Sequence, residues 1–280
     1  MPASNPQSNQ TFRRHVMPFA PLALALLMNA VPSNQTPSSA STLRSFSRRA
    51  AACHPSLSSC PAFGCETEGT PHALVNEMKR RLPTDTTPKS LSWDDFKTLQ
   101  DDADSTVGED TELDASDRDR LHNLSVSTGQ VSEGDLVQLA GFLVGKPHPN
   151  TGESVNCNLS GSQNNDFHIP FAADPDQTPF EGIVVEMIPQ DRPAQWNVKV
   201  LNQVETARRK VLVTGQLFYD NMHRVNPDQE NNQQGQPPRF SLFEIHPITS
   251  IAVCTSDQCD PNQASNWETL DKFLSDSRTP

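Results

Sequence analysis

Two short pieces of this chain each carry an acid and a histidine two residues apart, Asp166-Phe-His168-Ile-Pro170 and Glu244-Ile-His246-Pro247. In an extended strand, residues i and i+2 point to the same side. Each pair therefore sets a carboxylate beside an imidazole. Such a set suits a mid-row divalent metal, whose preferred donors are imidazole nitrogen and carboxylate oxygen. It also suits acid–base work, because a histidine held by a carboxylate can be tuned near neutral pH. A third acid, Glu186, sits in the strand-like run Gly182-Ile-Val-Val-Glu-Met-Ile188. Asp220 and His223 follow another such run and open a polar loop, where they read as a turn cap or as groups folding over the same face. The plainer alternative is structural. On that reading Phe167, Ile169, Phe243 and Ile245 point inward, and the acids and histidines pair on the outer face to close strand ends. No nucleophile elbow, phosphate-binding glycine loop or Ser/His/Asp arrangement is present.

A series of β-prone segments must position these residues. Residues 136–144, 166–171, 182–188, 210–219 and 240–253 have strand character, the last broken at Pro247. A further extended stretch, 153–159, follows a Pro/Asn/Gly turn, and a helix is expected over 194–206. One helix between the third and fourth strands is the order of an OB-fold, a five-stranded Greek-key barrel. Gly141 and Gly215 suit the bends such a barrel needs. In that topology the third and fifth strands are neighbours, which brings Glu186 towards Glu244 or His246. A mixed α+β sheet is the competing architecture. Helices flank the region. Leu74, Val75, Met78 and Leu82 share a helical face over 71–82, and Ser92 caps a helix bearing Trp93, Phe96 and Leu99. A final helix begins with a capping box at Ser265 and carries Trp267, Leu270 and Phe273 or Leu274. The fold class is thus mainly β with flanking helices: a small OB-like barrel, N-terminal helices and a C-terminal helix.

Composition sets the domain organisation. Only 34% of the 280 residues are hydrophobic and 24 are proline, so one core of ~120–150 residues is expected, with long polar segments around it. Arg13 and Arg14 precede an apolar run at 16–31, too short and too interrupted by Pro18 and Pro21 for a membrane span of ~20 residues. Residues 1–31 accordingly read as a signal-like export segment, hence periplasmic or secreted. Residues 32–70 read as a disordered Ser/Pro-rich linker, 71–125 as a helical, partly disordered segment, 130–255 as the barrel and 256–280 as a helix and tail. The acidic stretch 101–119 reads as a solvated connector. It is not a calcium loop, because Val107 stands where glycine is required and Leu113 where glutamate closes the loop. Six cysteines permit three disulfides in an exported chain, and Cys254 with Cys259 is a plausible local loop. Without any Cys-x-x-Cys pair, a zinc-thiolate site is disfavoured.

Several pieces together resemble an uncharacterised family of predicted-exported bacterial proteins. They are Gly64-Cys-Glu-Thr-Glu-Gly-Thr-Pro-His72, Gly134-Asp-Leu-Val, Glu153-Ser-Val-Asn-Cys157-Asn-Leu, Asn165-Asp-Phe-His168-Ile, Val213-Thr-Gly-Gln-Leu-Phe-Tyr-Asp220 and Phe240-Ser-Leu-Phe-Glu244-Ile-His-Pro247. The likeness spans roughly residues 64–254. It implies that Cys157 and Cys254 pair, leaving Cys259 for another partner, and it marks His168 and His246 as recurring features without implying a reaction.

Charge narrows the function. The net charge is -12, and residues 130–255 hold 8 Lys and Arg against 14 Asp and Glu. Affinity for a phosphate backbone comes mainly from cationic side chains, so nucleic acid is disfavoured. The leading expectation is an exported non-enzymatic binding module with a glycan or protein partner. The alternative is a metal-dependent, nuclease-like hydrolase built on Asp166, His168, Glu186, Glu244 and His246, which requires those side chains to converge. A third reading, an envelope scaffold, requires an exposed apolar stripe on 71–82 or 92–99.

Overall fold

Alternating apolar side chains over five segments give five strands, and their inward sets merge into one core. The strands are β1 (Leu136–Leu143), β2 (Phe167–Ala172), β3 (Ile183–Met187), β4 (Val211–Tyr219) and β5 (Phe243–Cys254). The computed structural model describes residues 50–108 and 112–276, all within one compact unit. The signal-like segment 1–31 and the first part of the expected linker lie outside the described residues. β1 pairs antiparallel with β4, β4 with β5 and β2 with β3, while β3 and β5 run parallel. Phe142↔Ala172 and Leu143↔Phe171 join β1 to β2 and close the barrel. This is the OB-like order, with helix α4 (Val198–Thr206) between β3 and β4. A short strand β6 (Trp267–Thr269) extends the sheet beside β5.

The glycines at the bends are required by close approach. A Cβ on Gly141 would lie 2.5 Å from the carbonyl oxygen of Ala172, where β1 turns from β4 to β2. A Cβ on Gly215 would lie 2.3 Å from that of Pro247, beside the two register slips in the β4–β5 ladder. The break expected at Pro247 is instead such a bulge, and β5 runs unbroken for 12 residues through a cis His246-Pro247 peptide.

Phe167, Ile169, Val185, Leu217, Phe243 and Ile245 fill the main core. Helix α2 (Trp93–Thr106) adds Phe96, Leu99 and Ala103 to it, and α4 adds Val200, Leu201 and Val204. The acidic stretch 101–119 is therefore only partly a solvated connector. α2 runs into it, and Arg118 of the single turn α3 (Ala115–Arg118) forms a buried ion pair with Glu133 at 2.6 Å. The final helix starts later than expected: Trp267 lies in β6, and α5 (Leu270–Asp276) packs Leu270 and Leu274 inward.

Helix α1 (Pro71–Lys79), capped by Thr70, packs Val75 and Met78 on Phe218, on the outer side of β4. The exposed stripe that a scaffold would need is absent from the described residues, although Leu82 just beyond α1 is exposed. The segment before α1 is no loose linker from residue 53 onward. Cys53–Cys65 and Cys60–Cys157 are disulfides, and the amides of Cys53 and Cys65 donate to the carbonyls of Cys157 and Ser154. The expected Cys157–Cys254 bond is overturned. Cys254 ends β5 next to β6 and pairs with Cys259 across its own short turn. The stretch 153–159 is not extended either. Ser154–Asn156 is a 3-10 turn, and Cys157 and Asn158 are left-handed, which turns this loop onto the Cys60 segment.

Gly215→Ala should destabilise the protein by about 1–3 kcal/mol, because the strand crossing has no room for a methyl group. A urea unfolding midpoint equal to wild type would contradict the close approach.

Candidate metal centre

Strand alternation fixes which side each functional group takes. Phe167, Ile169, Val185, Phe243 and Ile245 point into the barrel, so Asp166, His168, Glu186, Glu244 and His246 lie on its outer face. Register then brings them together. His168 stands opposite Glu186 in the β2–β3 ladder, and Val185 opposite Ile245 aligns β3 with β5. All five are buried, because α1 and the disulfide-bonded segment cover this face; Asp166 and His246 are 0% exposed and Glu186 is 2% exposed. The five side chains named from sequence thus converge, but inside the protein.

His246 is the hub. Its Nδ1 lies 3.2 Å from Glu244 Oε2 and 3.6 Å from Glu186 Oε2, and its Nε2 lies 3.3 Å from Asp166 Oδ2. Asp166, Glu186 and His246 offer ligand atoms that all lie within 4.8 Å of one another. Each of the three has one atom anchored and one left over. Asp166 Oδ1 accepts from Asn156 Nδ2 at 2.9 Å, and Asn156 is itself held by Gln190. Glu186 Oε1 lies 3.3 Å from His168 Nδ1, and His246 Nδ1 is taken by Glu244. The other atoms, Asp166 Oδ2, Glu186 Oε2 and His246 Nε2, are buried without a hydrogen bond. Asp166 Oδ2 and His246 Nε2 face each other at 3.3 Å as an ion pair, and Glu186 Oε2 lies 3.6 Å from His246 Nδ1, so these buried atoms are held by charge rather than by hydrogen bonds of good geometry.

The anchoring continues outwards. Arg239 Nη1 lies 2.6 Å from Glu244 Oε1 and 3.3 Å from Asp220 Oδ2, and Asp220 meets His223 at 2.6 Å. Asp220 and His223 therefore belong to the same network. His223 is its half-exposed rim, where a cleft of about 330 Å³ opens between α1 and the 150–155 loop. Lys79 reaches in from the last residue of α1 to 3.6 Å from Glu153. On the far side, His148 stacks on His168 with ring centroids 5.0 Å apart.

Burial alone would push the His246 imidazolium down. The surrounding Glu186, Asp166 and Glu244 carboxylates outweigh it and push its pKa up to about 10. Burial would raise Glu186, but His246, His168 and Lys79 hold it far below the usual carboxylate range. Asp220 is likewise depressed against its burial, by His223, Lys79 and Arg239. For Glu153 burial wins, Lys79 opposes it only in part, and Asp166 and Glu186 repel; its carboxyl sits well above the ordinary range. Lys79 is raised despite its burial because Glu153, Asp220, Glu186 and Glu244 all favour its charge.

Sequence reading missed Lys79, Glu153, Asn156 and Arg239. Lys79 carries a signal, since it follows Val75 by four residues and so shares the packed face of α1. Arg239 lies in a loop of Asn, Gln and Pro whose packing no periodicity reveals.

The class of protein that emerges is a disulfide-bonded, OB-like barrel with a buried histidine–carboxylate centre on its covered outer face. No protein-family model, curated protein or solved structure matches this chain. No helix among the described residues is long and apolar enough to cross a membrane.

For the metal-stripped protein, the His246 shift has a definite sign. An imidazole at about 10 in the folded state and about 6.5 unfolded adds stability that is complete below pH 6.5 and is lost as pH rises through 10. Urea midpoints measured in chelator should fall between about pH 7 and 10, and His246→Gln should remove that part of the slope. A flat wild-type profile over this range would mean that His246 is folded in its neutral form.

Proposed function

We propose that this protein is an exported, non-enzymatic binding module whose ligand is a divalent metal ion held by Asp166, Glu186 and His246. One observation carries the reading: each of these side chains has one polar atom anchored by a neighbour, and the three buried groups offer ligand atoms that all lie within 4.8 Å of one another. Ligands at real metal sites are oriented in this manner, with the atom not on the metal held by a carboxylate, carbonyl or amide. One nitrogen and two carboxylate oxygens suit zinc or manganese rather than a thiolate-loving ion. Bonds of about 2.0 Å in a tetrahedral site put neighbouring donors about 3.3 Å apart, and Asp166 Oδ2 lies 3.3 Å from His246 Nε2. Metal and proton compete for His246, so loading the ion releases the proton that the carboxylates otherwise hold there.

Export is supported by the three disulfides and the signal-like leader, since such bonds persist in oxidising compartments. The hydrolase reading stands second. Three protein ligands do leave a coordination position free, as in catalytic zinc sites. A substrate would have to reach that position past α1, and the three ligands are covered. Open OB barrels bind oligonucleotides and saccharides on the face of strands 2 and 3. Here His168 and Glu186 on the outer side of those strands are buried, so a glycan or protein partner would use other surface.

The test is a titration of metal-stripped protein with Zn²⁺ and Mn²⁺ by calorimetry. Wild type should bind one ion per chain, with about one proton released at neutral pH. His246→Gln and Asp166→Asn should abolish binding, and His168→Ala or Asn156→Ala should weaken it about 10–100-fold. A folded wild-type chain that takes up neither ion would end the proposal.

A further inference from the structure

The three ligand atoms are shut off from solvent, so an ion needs a way in. The cleft between α1 and the 150–155 loop is lined by Lys79, Asn150, Glu153 and His223 among others. Three of these join the cleft to the buried network. His223 holds Asp220, and Lys79 and Glu153 face each other at 3.6 Å. Glu153 is itself half anchored: Oε1 accepts from Asn150 Nδ2 at 2.8 Å, while Oε2 is buried and without a hydrogen bond. It caps the 3-10 turn Ser154–Asn156, whose last residue donates to the ligand Asp166. Glu153 is therefore tied through three residues of backbone to the centre itself. Lys79 is placed to balance the same carboxylates that a divalent ion would neutralise. The carboxylates of Asp166, Glu186, Glu244 and Asp220 meet Lys79, Arg239 and His246 in this cluster, so an arriving cation takes the place of positive charge already there.

We infer that this cleft is the ion's entrance, that Glu153 is the carboxyl group that receives the ion there, and that the Lys79 ammonium is the resident cation the ion displaces on its way to Asp166, Glu186 and His246. The inference rests on the metal-binding reading above. It assigns Glu153 and Lys79 to the rate and selectivity of loading, not to the final coordination.

Stopped-flow mixing of metal-stripped protein with Zn²⁺, read by a competing chromophoric chelator, separates the two roles. Glu153→Gln should slow association about tenfold and change the equilibrium affinity less than about threefold, as loss of a group met only in transit does. Lys79→Met should load faster and bind more tightly. His246→Gln, which removes a ligand, should lose binding altogether. Glu153→Gln loading at the wild-type rate would overturn the inference, and so would a loss of affinity as complete as in His246→Gln, which would make Glu153 a ligand. If the Lys79 variant fails to fold, the Glu153 comparison decides alone. Wild-type protein that binds no Zn²⁺ would sink the metal reading itself, an outcome distinct from a loaded protein with unaltered kinetics.

Discussion

Five carboxyl groups, Lys79, Arg239 and His246 lie together on the barrel's covered outer face, and the need to balance charge in a dry place governs much of the fold. Charge removed from water is costly unless it is paired and hydrogen-bonded. The β2–β3 register sets His168 against Glu186, and the parallel β3–β5 contact brings His246 to both. A one-residue slip in either ladder would turn these groups into the apolar interior and Phe or Ile out towards α1. The polar network thus fixes strand register as firmly as the core does. Helix α1 adds Lys79 at its C-terminal end, where the helix dipole favours a cation.

The cover changes what an OB-like barrel can offer. Val75 and Met78 pack on Phe218, Gln216 Nε2 donates both to the carbonyl of Met78 and to that of His246, and Arg80 reaches the carbonyls of Cys60 and Pro61. His168 and Glu186, on the outer side of the two strands where open barrels hold extended ligands, are here buried. Beside His223 and Glu153 a cleft of about 330 Å³ remains open.

Much of this was legible in the sequence, for a physical reason. Alternation in 166–171 and 243–246 correctly assigns Phe167, Ile169, Phe243 and Ile245 to the interior, because period two is a local property of a strand. The helix between the third and fourth strands was equally local and pointed to the barrel order. The Cys60–Cys157 bond and the turn at 154–156 were not legible. Both depend on a segment nearly a hundred positions earlier folding back over the barrel, and a Ser/Pro-rich composition suggests a linker whether or not disulfides hold it. The burial of the acid–histidine pairs was hidden for the same reason. Strand alternation says which side a group takes, not whether something else covers that side. Lys79 and Arg239, the cations that make burial tolerable, come from a helix and a loop whose docking depends on the completed barrel.

The Cys60–Cys157 bond spans 97 positions and ties the segment before α1 to the turn whose Asn156 holds Asp166. In the chain-entropy account a cross-link of that span removes about 4–5 kcal/mol of freedom from the unfolded chain. Whether the acidic face stays covered therefore depends on the redox state of this one pair.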